Sequence, residues 1–407
     1  MDRLQEPRAA HGHRPFAPAR MATPWLALLA GPLSYGIAAP ALILDDVARA
    51  TRTDEQAAAA GVTAFGWGIA LGTPLLAALL ARSGVRAVLT VSAVLLGAGT
   101  LLLVLVPSVP ALVAGAAVQA LGSAGLTVTA MKLADSARQM GVVTASLAVV
   151  GATGPLTGAL VADLFSWQAA LALPLLAVLA VPAACRGTTS PDAAPASFDP
   201  LGMVLLSLLV TAAVLIPHRP LVAAPVTVAL LLALVAWIKI RPEGFLPAVV
   251  ARNGRFLAAC ASAFVLGVVN FALLYAAPDL LREHAGWDGT RSGLVLLAPY
   301  LLGGFCSGFL VAASVRVPRR VAAAALLVTG AAASLLAAVT TAVPLLLAAM
   351  TLGSLAAATG QGALALQATG VVAASRRAEA LGLFNLAYLL SVAFGPAIAV
   401  TLAHPAA

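Results

Sequence analysis

Residues 87–107 read AVLTVSAVLLGAGTLLLVLVP and contain no charged side chain. A run of about 20 apolar residues matches the roughly 30 Å hydrocarbon core of a bilayer. The 407-residue chain repeats this pattern, with 61% hydrophobic and 9% charged residues. A soluble domain usually carries about 25% charged residues. We therefore expect lipid, rather than water, to be the solvent for most of the protein surface.

Apolar runs of this kind predict about thirteen membrane-spanning helices. They are expected at 23–44, 57–80, 87–107, 110–131, 140–162, 167–184, 201–217, 220–238, 256–278, 292–315, 321–342, 344–367 and 380–403. Backbone groups in lipid must pair within their own segment, so each run forms a helix unless strands close a barrel. Barrel strands would alternate over about ten residues, whereas these runs are longer and apolar throughout. The predicted fold class is all-α and polytopic transmembrane.

The distribution of basic residues indicates the orientation. If the N-terminus is cytoplasmic, 18 of the 23 Lys and Arg residues fall in inner segments. This bias agrees with the positive-inside rule, and thirteen spans place the C-terminus outside. The net charge of +8 does not indicate nucleic acid as a partner, because the basic residues recur in small groups between apolar runs.

Composition also divides the chain. We predict an N-terminal cytoplasmic tail over 1–22, a six-helix bundle over 23–184, a cytoplasmic linker over 185–199, a central two-helix hairpin over 200–240 and a bundle of about five helices over 241–407. Gly141 and Gly154-Pro155 in the fifth run match Gly382 and Gly395-Pro396 in the thirteenth. The match indicates either an internal repeat or chance among Gly-rich helices. Repeated bundles around a central site are a transporter design.

The strongest local motif is Gly151-Ala-Thr-Gly154-Pro155-Leu-Thr-Gly158. Small residues at this spacing let helices approach closely, and Pro155 removes a backbone hydrogen bond and bends its helix. Ordinary close packing explains such a motif about as well as a functional role does.

With its surroundings, this motif resembles the antiporter motif of the major facilitator superfamily, in the fourteen-helix drug:proton antiporter branch. Similar pieces occur at 198–202, 252–256, 275–278, 286–288 and 292–294. The resemblance extends from about Ala22 to Leu402 and implies a two-bundle fold with an inserted central hairpin. On this interpretation the second bundle lacks its last helix.

The resemblance further implies a cytoplasmic gating loop, here Arg82, Gly84 and Arg86. Four positions where the family usually carries a charge hold uncharged residues instead: Gly31, Ala81, Ala116 and Gln168. The usual gating and proton-linked charges are therefore largely missing.

The acidic residues all fall in loops or at the ends of spans, although ionisable residues inside spans mark proton relays. Asp45, Asp163 and Asp279 near the outer face remain candidate proton carriers, and the alternative for each is a solvated helix end. Asp45-Asp46 could bind a metal, but a solvated acidic loop explains the pair better. We expect no metal site, no cofactor and no enzyme, because no nucleophile–base pair or phosphate loop occurs.

Uncharged polar and aromatic residues inside spans are the candidates for lining a substrate cavity. They are Tyr35, Trp67, Gln119, Asn270, Tyr275, Tyr300, Gln361, Asn385 and Tyr388. Amide side chains in lipid need partners, so hydrogen bonding between helices is the alternative role. An apolar cavity with a few polar points suits a lipophilic or weakly polar organic molecule.

Three functions fit these observations. The first is a secondary transporter in the cell membrane that exports small organic compounds by alternating access, with the proton as a candidate coupling ion. The second is a facilitator or importer of a neutral metabolite, which the missing charges favour. The third is a non-transporting relative that acts as a membrane scaffold. The expected partners are the lipid bilayer and a small organic substrate.

Overall fold

The computed structural model describes residues 21–135, 137–186, 199–217, 219–242, 244, 246, 248–287, 289–372 and 377–403. All regular elements within these residues are helices, which confirms the all-α prediction. The α-helices are α1 (Thr23–Ala30), α2 (Leu33–Ala38), α3 (Leu44–Thr51), α4 (Glu55–Leu105), α5 (Val109–Leu133), α6 (Ala137–Leu164), α7 (Trp167–Leu171), α8 (Val181–Arg186), α9 (Pro200–Val214), α10 (Pro220–Ile240), α11 (Ala248–Ala251), α12 (Gly254–Ala285), α13 (Gly289–Ser314), α14 (Arg319–Val339), α15 (Val343–Thr369) and α16 (Arg377–Ala403).

Eleven helical segments in the described part of the chain are long and apolar enough to cross a membrane. Two shorter apolar segments, Leu173–Arg186 and Pro200–Val214, occupy the positions of the sixth and seventh predicted spans. The structure is therefore consistent with about thirteen spans. Tail residues 1–20 and linker residues 187–198, which the sequence assigned to the cytoplasm, lie outside the described residues.

Proline interrupts the first and sixth spans, which the sequence predicted as continuous helices. Pro32 separates α1 from α2, and Pro40 begins a short 3₁₀ segment at Ala39–Leu42. Pro174 likewise begins the 3₁₀ segment Leu173–Ala180 between α7 and α8. Proline lacks a backbone N–H and its ring clashes with the preceding turn, so the α-helical hydrogen-bond pattern stops at these positions.

Helix α4 contains two spans, Glu55–Leu80 and Arg82–Leu105, joined by a sharp reversal. Gly84 forms that reversal with φ 76° and ψ 175°. Residues with a Cβ rarely adopt this conformation, whereas glycine does so at little cost. The backbone conformation of the reversal therefore explains why the predicted gating loop has glycine at position 84.

Each bundle is packed around leucine and phenylalanine side chains and small residues. Helices α4 and α5 approach so closely that a Cβ on Gly122 would lie 2.8 Å from the Cβ of Leu96. Leu96 belongs to the buried cluster of the first bundle (α1 to α8). In the second bundle (α12 to α16), Phe256, Leu266 and Phe384 share one buried cluster. Small residues at helix contacts are the usual means of close packing in lipid.

The hairpin (α9 and α10) lies across the contact between α4 and α16, which belong to different bundles. Leu206, Val210 and Leu234 of the hairpin share a buried cluster with Leu71 of α4 and Leu386 of α16. The hairpin therefore covers one of the two long seams between the bundles. The other seam lies between α6 and α13.

Buried Asp199 secures the base of the hairpin. Its Oδ1 accepts hydrogen bonds from the Gly202 backbone N–H at 2.9 Å and from Trp237 Nε1 at 3.0 Å. A carboxylate at the N-terminus of a helix satisfies free backbone donors, and the bond to Trp237 joins α9 to α10. The segment that begins at Asp199-Pro200 thus fixes the start of the hairpin.

The helices that carry the repeated Gly-Pro pairs, α6 and α16, occupy related places. Each packs against a helix of the opposite bundle, α13 for α6 and α4 for α16. This arrangement is what an internal repeat of the two bundles would produce.

Candidate transport site and gates

The two bundles meet through charged groups at one end, which we call the acidic end (Asp45, Glu55, Asp163 and Asp279). Arg282 Nη2 of α12 lies 2.7 Å from Asp45 Oδ2 of α3, so an ion pair joins the second bundle to the first. Arg282 Nη1 also lies 3.5 Å from Asp279 Oδ1 on its own helix. One guanidinium therefore stands between two carboxylates, one from each bundle.

Glu55, the first residue of α4, completes this cluster. Its side chain lines one small cavity together with Asp45, Asp279 and Arg282. The neighbouring Glu55 side chain and the charge of Arg282 hold the pKa of Asp45 below its usual range, against the opposing effect of burial. The Arg282 guanidinium therefore stabilises the ionised form of Asp45.

Two further hydrogen bonds cross between the bundles in the same half of the molecule. Tyr275 of α12 donates its O–H to the backbone carbonyl of Ile37 in α2. Thr290 Oγ1 of α13 donates to Asp163 Oδ2 of α6 at 2.8 Å. The Asp45, Ile37 and Asp163 contacts together close the acidic end.

The seam between α6 and α13 runs toward the opposite end of the molecule, which we call the basic end (Arg82, Arg86 and Arg319). Near the acidic end they touch, because a Cβ on Gly293 would lie 2.9 Å from the Cα of Leu156. Continuing that antiparallel register places Gly141 opposite Gly308. Among the described residues, no heavy atom lies within 4 Å of a Cβ built on either glycine. The seam is therefore in contact near the acidic end, whereas Gly141 and Gly308 toward the basic end have open space beside them.

Besides Tyr275, two of the predicted cavity residues form hydrogen bonds with other helices. Gln119 is buried and donates through Nε2 to Thr100 Oγ1 at 2.9 Å and to the Leu171 carbonyl at 3.0 Å. Trp67 donates through Nε1 to Thr211 Oγ1 of the hairpin at 2.9 Å. Their contacts join helices within the first bundle and attach the hairpin to α4.

The three predicted tyrosines of the second bundle are buried. Tyr275 and Tyr300 belong to the same buried cluster, and the hydroxyl of Tyr300 has no hydrogen-bond partner within the part of the chain that the structure describes. The Tyr388 ring packs against that of Phe271, with the two centroids 6.4 Å apart and the rings tilted by 58°. The other predicted residues are more accessible: Tyr35, Asn270 and Asn385 are half-buried, and Gln361 is exposed.

The Gly151–Gly158 motif packs α6 against the interrupted first span. A Cβ on Gly154 would lie 2.6 Å from the Cβ of Ala38, and a Cβ on Gly158 would lie 2.8 Å from the Cα of Ala39. Gly151 is less crowded, at 3.8 Å from the Cβ of Ser34. Close packing therefore accounts for Gly154 and Gly158. This packing also supports the half of α6 that contacts α13.

Glu55 and Arg282 were not predicted from the sequence as functional residues. Glu55 stands at the start of a helix, where an acidic residue commonly has only a local role. For Arg282, the one signal in the sequence was its position three residues after Asp279 on α12, a spacing that allows the two side chains to form an ion pair. Neither position reveals the contact with Asp45, because that contact depends on how the bundles dock.

Small cavities accompany these contacts. One of about 20 Å³ lies beside Asp45, Glu55, Tyr275, Asp279 and Arg282, and one of about 30 Å³ lies inside the first bundle beside Phe65 and Leu112. Such volumes hold a water molecule, whereas organic ligands need roughly 300–1,000 Å³. Among the described residues, no group of three or more His, Cys, Asp or Glu is placed to hold a metal ion.

Known proteins share this architecture. A family model described as Major Facilitator Superfamily matches residues 25–254 and 256–406. A crystal structure of a bacterial homolog to the human lysosomal transporter Spinster, inward-facing and unoccupied, aligns with a TM-score of 0.60 and 14% identity, over 95% of this chain and 82% of that one. The human organic anion transporter MFSD10 (TETRAN) aligns with a TM-score of 0.60 and 17% identity, over 95% and 93%. No curated protein matches the chain in sequence.

Proposed function

The chain belongs to the major facilitator superfamily and is a membrane transporter rather than an enzyme, and we propose that it exports small lipophilic or weakly polar organic compounds. The transport mechanism would be alternating access, in which two bundles rock about a site near the midplane. The proposed site draws on the neutral polar and aromatic residues of the spans, with Tyr275 and Tyr300 as its preferred members.

The observation that carries this proposal is the neutral interior. Within the described residues, no charged side chain lies in the middle of a span; all of them lie near helix ends or at the Gly84 reversal. A strongly cationic or anionic substrate would need an opposite charge in a site of low dielectric. A neutral or weakly polar molecule would need only an apolar wall and a few hydrogen bonds.

The arrangement of the bundles supports alternating access. The acidic end is closed by the Asp45–Arg282 ion pair and the Asp163–Thr290 hydrogen bond. Gly141 and Gly308 have open space around them toward the basic end. A substrate would therefore enter from the basic end in this state and leave after the acidic end opens.

Orientation and coupling form part of the proposal. We assign the basic end to the cytoplasm of the cell membrane, because Lys and Arg are retained on that side. Export would then run from the basic to the acidic end. Asp45, Asp163 and Asp279 stay candidate proton carriers, and all three lie at the acidic end.

A direct test uses an efflux-deficient bacterium that expresses the full chain. Accumulation of a panel of lipophilic dyes and antibiotics would be followed with and without a protonophore, beside cells that carry the empty vector. We expect lower accumulation of at least one compound, and loss of that difference with the protonophore. Unchanged accumulation of every compound at verified membrane expression would contradict export.

The absence of charge in the middle of the described spans also favours a second function, facilitated diffusion of a neutral metabolite. A facilitator needs no buried group that exchanges protons. Counterflow in proteoliposomes without an ion gradient separates the two functions. Counterflow that a pH gradient neither accelerates nor concentrates would favour the facilitator, whereas accumulation against the gradient of the substrate would favour the exporter.

A further inference from the structure

Four basic residues gather where the central hairpin joins the second bundle. Lys239 and Arg241 lie at the end of α10, and Arg252 and Arg255 flank the start of α12. We call these four residues the hairpin-base cluster. The sequence between them contains one acidic residue, Glu243, which lies outside the described residues. Membrane topology explains why basic residues are on this side, but it does not explain why the chain folds them together.

The connection between α10 and α12 is compact, which brings the two pairs of cations together. The Ala248 backbone N–H donates to the Pro242 carbonyl at 2.9 Å, so the chain folds back on the start of this connection. The Arg252 backbone N–H donates to the Ala248 carbonyl at 2.9 Å, one helical turn further on. Arg241 and Arg252 therefore lie on either side of one closed loop.

Apolar packing holds this loop against both neighbouring helices. Ala248 shares a buried cluster with Ile238 of α10, and Val250 shares another with Phe256 of α12. Asn253 Oδ1 accepts from the Phe256 backbone N–H at 3.2 Å and so caps the start of α12. The loop is thus attached to the hairpin on one side and to the second bundle on the other.

The Trp237 ring positions one of the cations. The Arg241 guanidinium lies over this ring, 5.9 Å from its centroid, which is close enough for a cation to be attracted to an aromatic face. The ring is fixed in turn, because its Nε1 donates to buried Asp199. A Cβ on Gly244 would clash with the Asp199 carboxylate, so the loop passes directly over that group. Asp199 therefore orients Trp237 from beneath the loop, while Arg241 stays exposed.

The hairpin-base cluster is exposed and lacks acidic partners. Each of its four residues is exposed, and none of them forms an ion pair within the part of the chain that the structure describes. Cations held close together repel one another, and a bound anion removes that repulsion. A guanidinium also matches the paired oxygens of a phosphate group. The cluster therefore has the composition of a phosphate-binding surface.

Exposed apolar side chains adjoin the cluster on the membrane side. Val235 lies one turn before Lys239 on α10, and Leu257 lies just beyond Arg255 on α12. Both apolar residues are exposed. Because α10 and α12 are membrane spans, these side chains face acyl chains, whereas the cations extend to the level of the headgroups. An anion that carries hydrocarbon chains fits this surface better than a soluble anion does.

We propose that the hairpin-base cluster binds the phosphate headgroup of an anionic phospholipid, with Arg241 of the hairpin and Arg252 of the second bundle as the central contacts. One headgroup then bridges the hairpin and the second bundle. Binding of this lipid requires neither the proposed substrate nor the proposed direction of transport.

The test measures lipid binding to the full chain by native mass spectrometry. Protein in detergent would be titrated with phosphatidylglycerol, and in parallel with zwitterionic phosphatidylcholine that carries the same acyl chains. We expect the first phosphatidylglycerol to bind at least about fivefold more tightly than the first phosphatidylcholine. This factor corresponds to the contribution of about 1 kcal/mol that one basic residue makes near an anionic headgroup.

Single substitutions identify the site. Arg241→Gln and Arg252→Gln should each weaken phosphatidylglycerol binding about fivefold and leave phosphatidylcholine binding unchanged. Arg241→Lys keeps the charge and should retain most of the affinity, which a purely structural role of this side chain would not predict. Arg219→Gln is the matched control and should bind both lipids normally, because Arg219 is an exposed arginine at the opposite end of the same hairpin.

Equal affinity for the two lipids in the unmodified sequence would overturn the proposed lipid site, and so would normal phosphatidylglycerol binding by both glutamine variants. If Arg241→Gln does not fold, Arg252→Gln on the other side of the loop decides the result. Displacement of phosphatidylglycerol by millimolar inorganic phosphate would assign the cations to a soluble anion and would also overturn it. Failure of the proposed export would leave these binding measurements unchanged, so the two proposals fail separately.

Discussion

Gln119 and Gln361 carry the same side chain in two environments. Gln119 is 2% exposed and bonds to Thr100 and to the Leu171 carbonyl, whereas Gln361 is exposed. The same residue type can thus hold helices together or remain available for another molecule. Sequence composition does not separate these roles, because both residues lie inside apolar runs.

We expect Gln119→Ala to lower the thermal unfolding temperature in detergent. The substitution leaves Thr100 and the Leu171 carbonyl without their amide partner, at a cost of about 1–2 kcal/mol in unfolding free energy. Gln361→Ala is the matched control and should shift stability by less than about 0.5 kcal/mol. Equal unfolding temperatures for the two variants would show that the Gln119 contacts contribute nothing measurable.

A second residue-scale prediction compares two tyrosines. Tyr275→Phe removes the hydrogen bond to the Ile37 carbonyl and should destabilise the protein by about 1 kcal/mol. Tyr300→Phe removes a buried hydroxyl that has no partner, so stability should stay the same or rise slightly. If Tyr300 binds substrate as proposed, Tyr300→Phe will raise the KM of transport in proteoliposomes. A lower stability of Tyr300→Phe than of Tyr275→Phe would contradict this assignment.

At the scale of the element, α6 combines an open half with a crowded half. Gly158 packs on Ala39 near the acidic end, whereas Gly141 has no heavy atom within 4 Å of the position of a Cβ. The repeated glycines of this helix therefore have different roles, although the sequence spaces them as one pattern. The difference follows from the first span, whose 3₁₀ segment approaches only the crowded half.

We predict that Gly158→Ala impairs folding or displaces α6, because its Cβ would lie 2.8 Å from the Cα of Ala39, a backbone atom that cannot move aside easily. Overpacking of this kind typically costs about 1–3 kcal/mol. Gly141→Ala on the same helix should be tolerated, or should stabilise by up to about 1 kcal/mol through helix propensity. Size-exclusion profiles and unfolding temperatures would check both, and equal behaviour would contradict the packing argument.

The hairpin illustrates a second feature at the element scale. Its hydrogen bond from Trp67 to Thr211 joins it to α4, while its contacts with α16 are apolar, through Leu386 and Leu390. Apolar contacts can slide more readily than a buried hydrogen bond can break. The hairpin is therefore expected to follow the first bundle when the bundles move.

For the whole molecule, the contacts between the bundles at the acidic end contrast with the open space beside Gly141 and Gly308 toward the basic end. Asp163 and Thr290 are in contact at the acidic end, and the register that continues from there sets Gly141 opposite Gly308 in open space. Alternating access requires these relations to reverse during transport. The state in hand is the one that is closed at the acidic end.

A pair of cross-links tests this prediction. In a background without native cysteines, Asp163→Cys with Thr290→Cys should form a disulfide readily and stop transport until a reductant is added. Gly141→Cys with Gly308→Cys should react slowly, and only when the basic end closes during transport. Each single-cysteine variant serves as the control. Rapid cross-linking of the Gly141 and Gly308 positions at rest would contradict the open space beside these two glycines.

The sequence by itself determined the all-helical membrane class, about thirteen spans and the place of the hairpin. These features follow from local composition, because run length and apolar character reflect the thickness and chemistry of the bilayer. Membership of the superfamily could likewise be inferred from short motifs such as Gly154-Pro155. The site residues could be predicted only as candidates. The sequence does not show which uncharged polar residues of a span join helices and which remain available for another molecule.

Only the tertiary structure decided which polar groups meet. Asp45 and Arg282 lie more than half the chain apart, and their ion pair exists because two separate bundles dock at one end. The partners of Gln119 and Trp67 were likewise set by helix packing rather than by spacing in the sequence. Helix formation depends on near neighbours, whereas the charges and hydrogen bonds of a gate depend on the relative position of whole bundles.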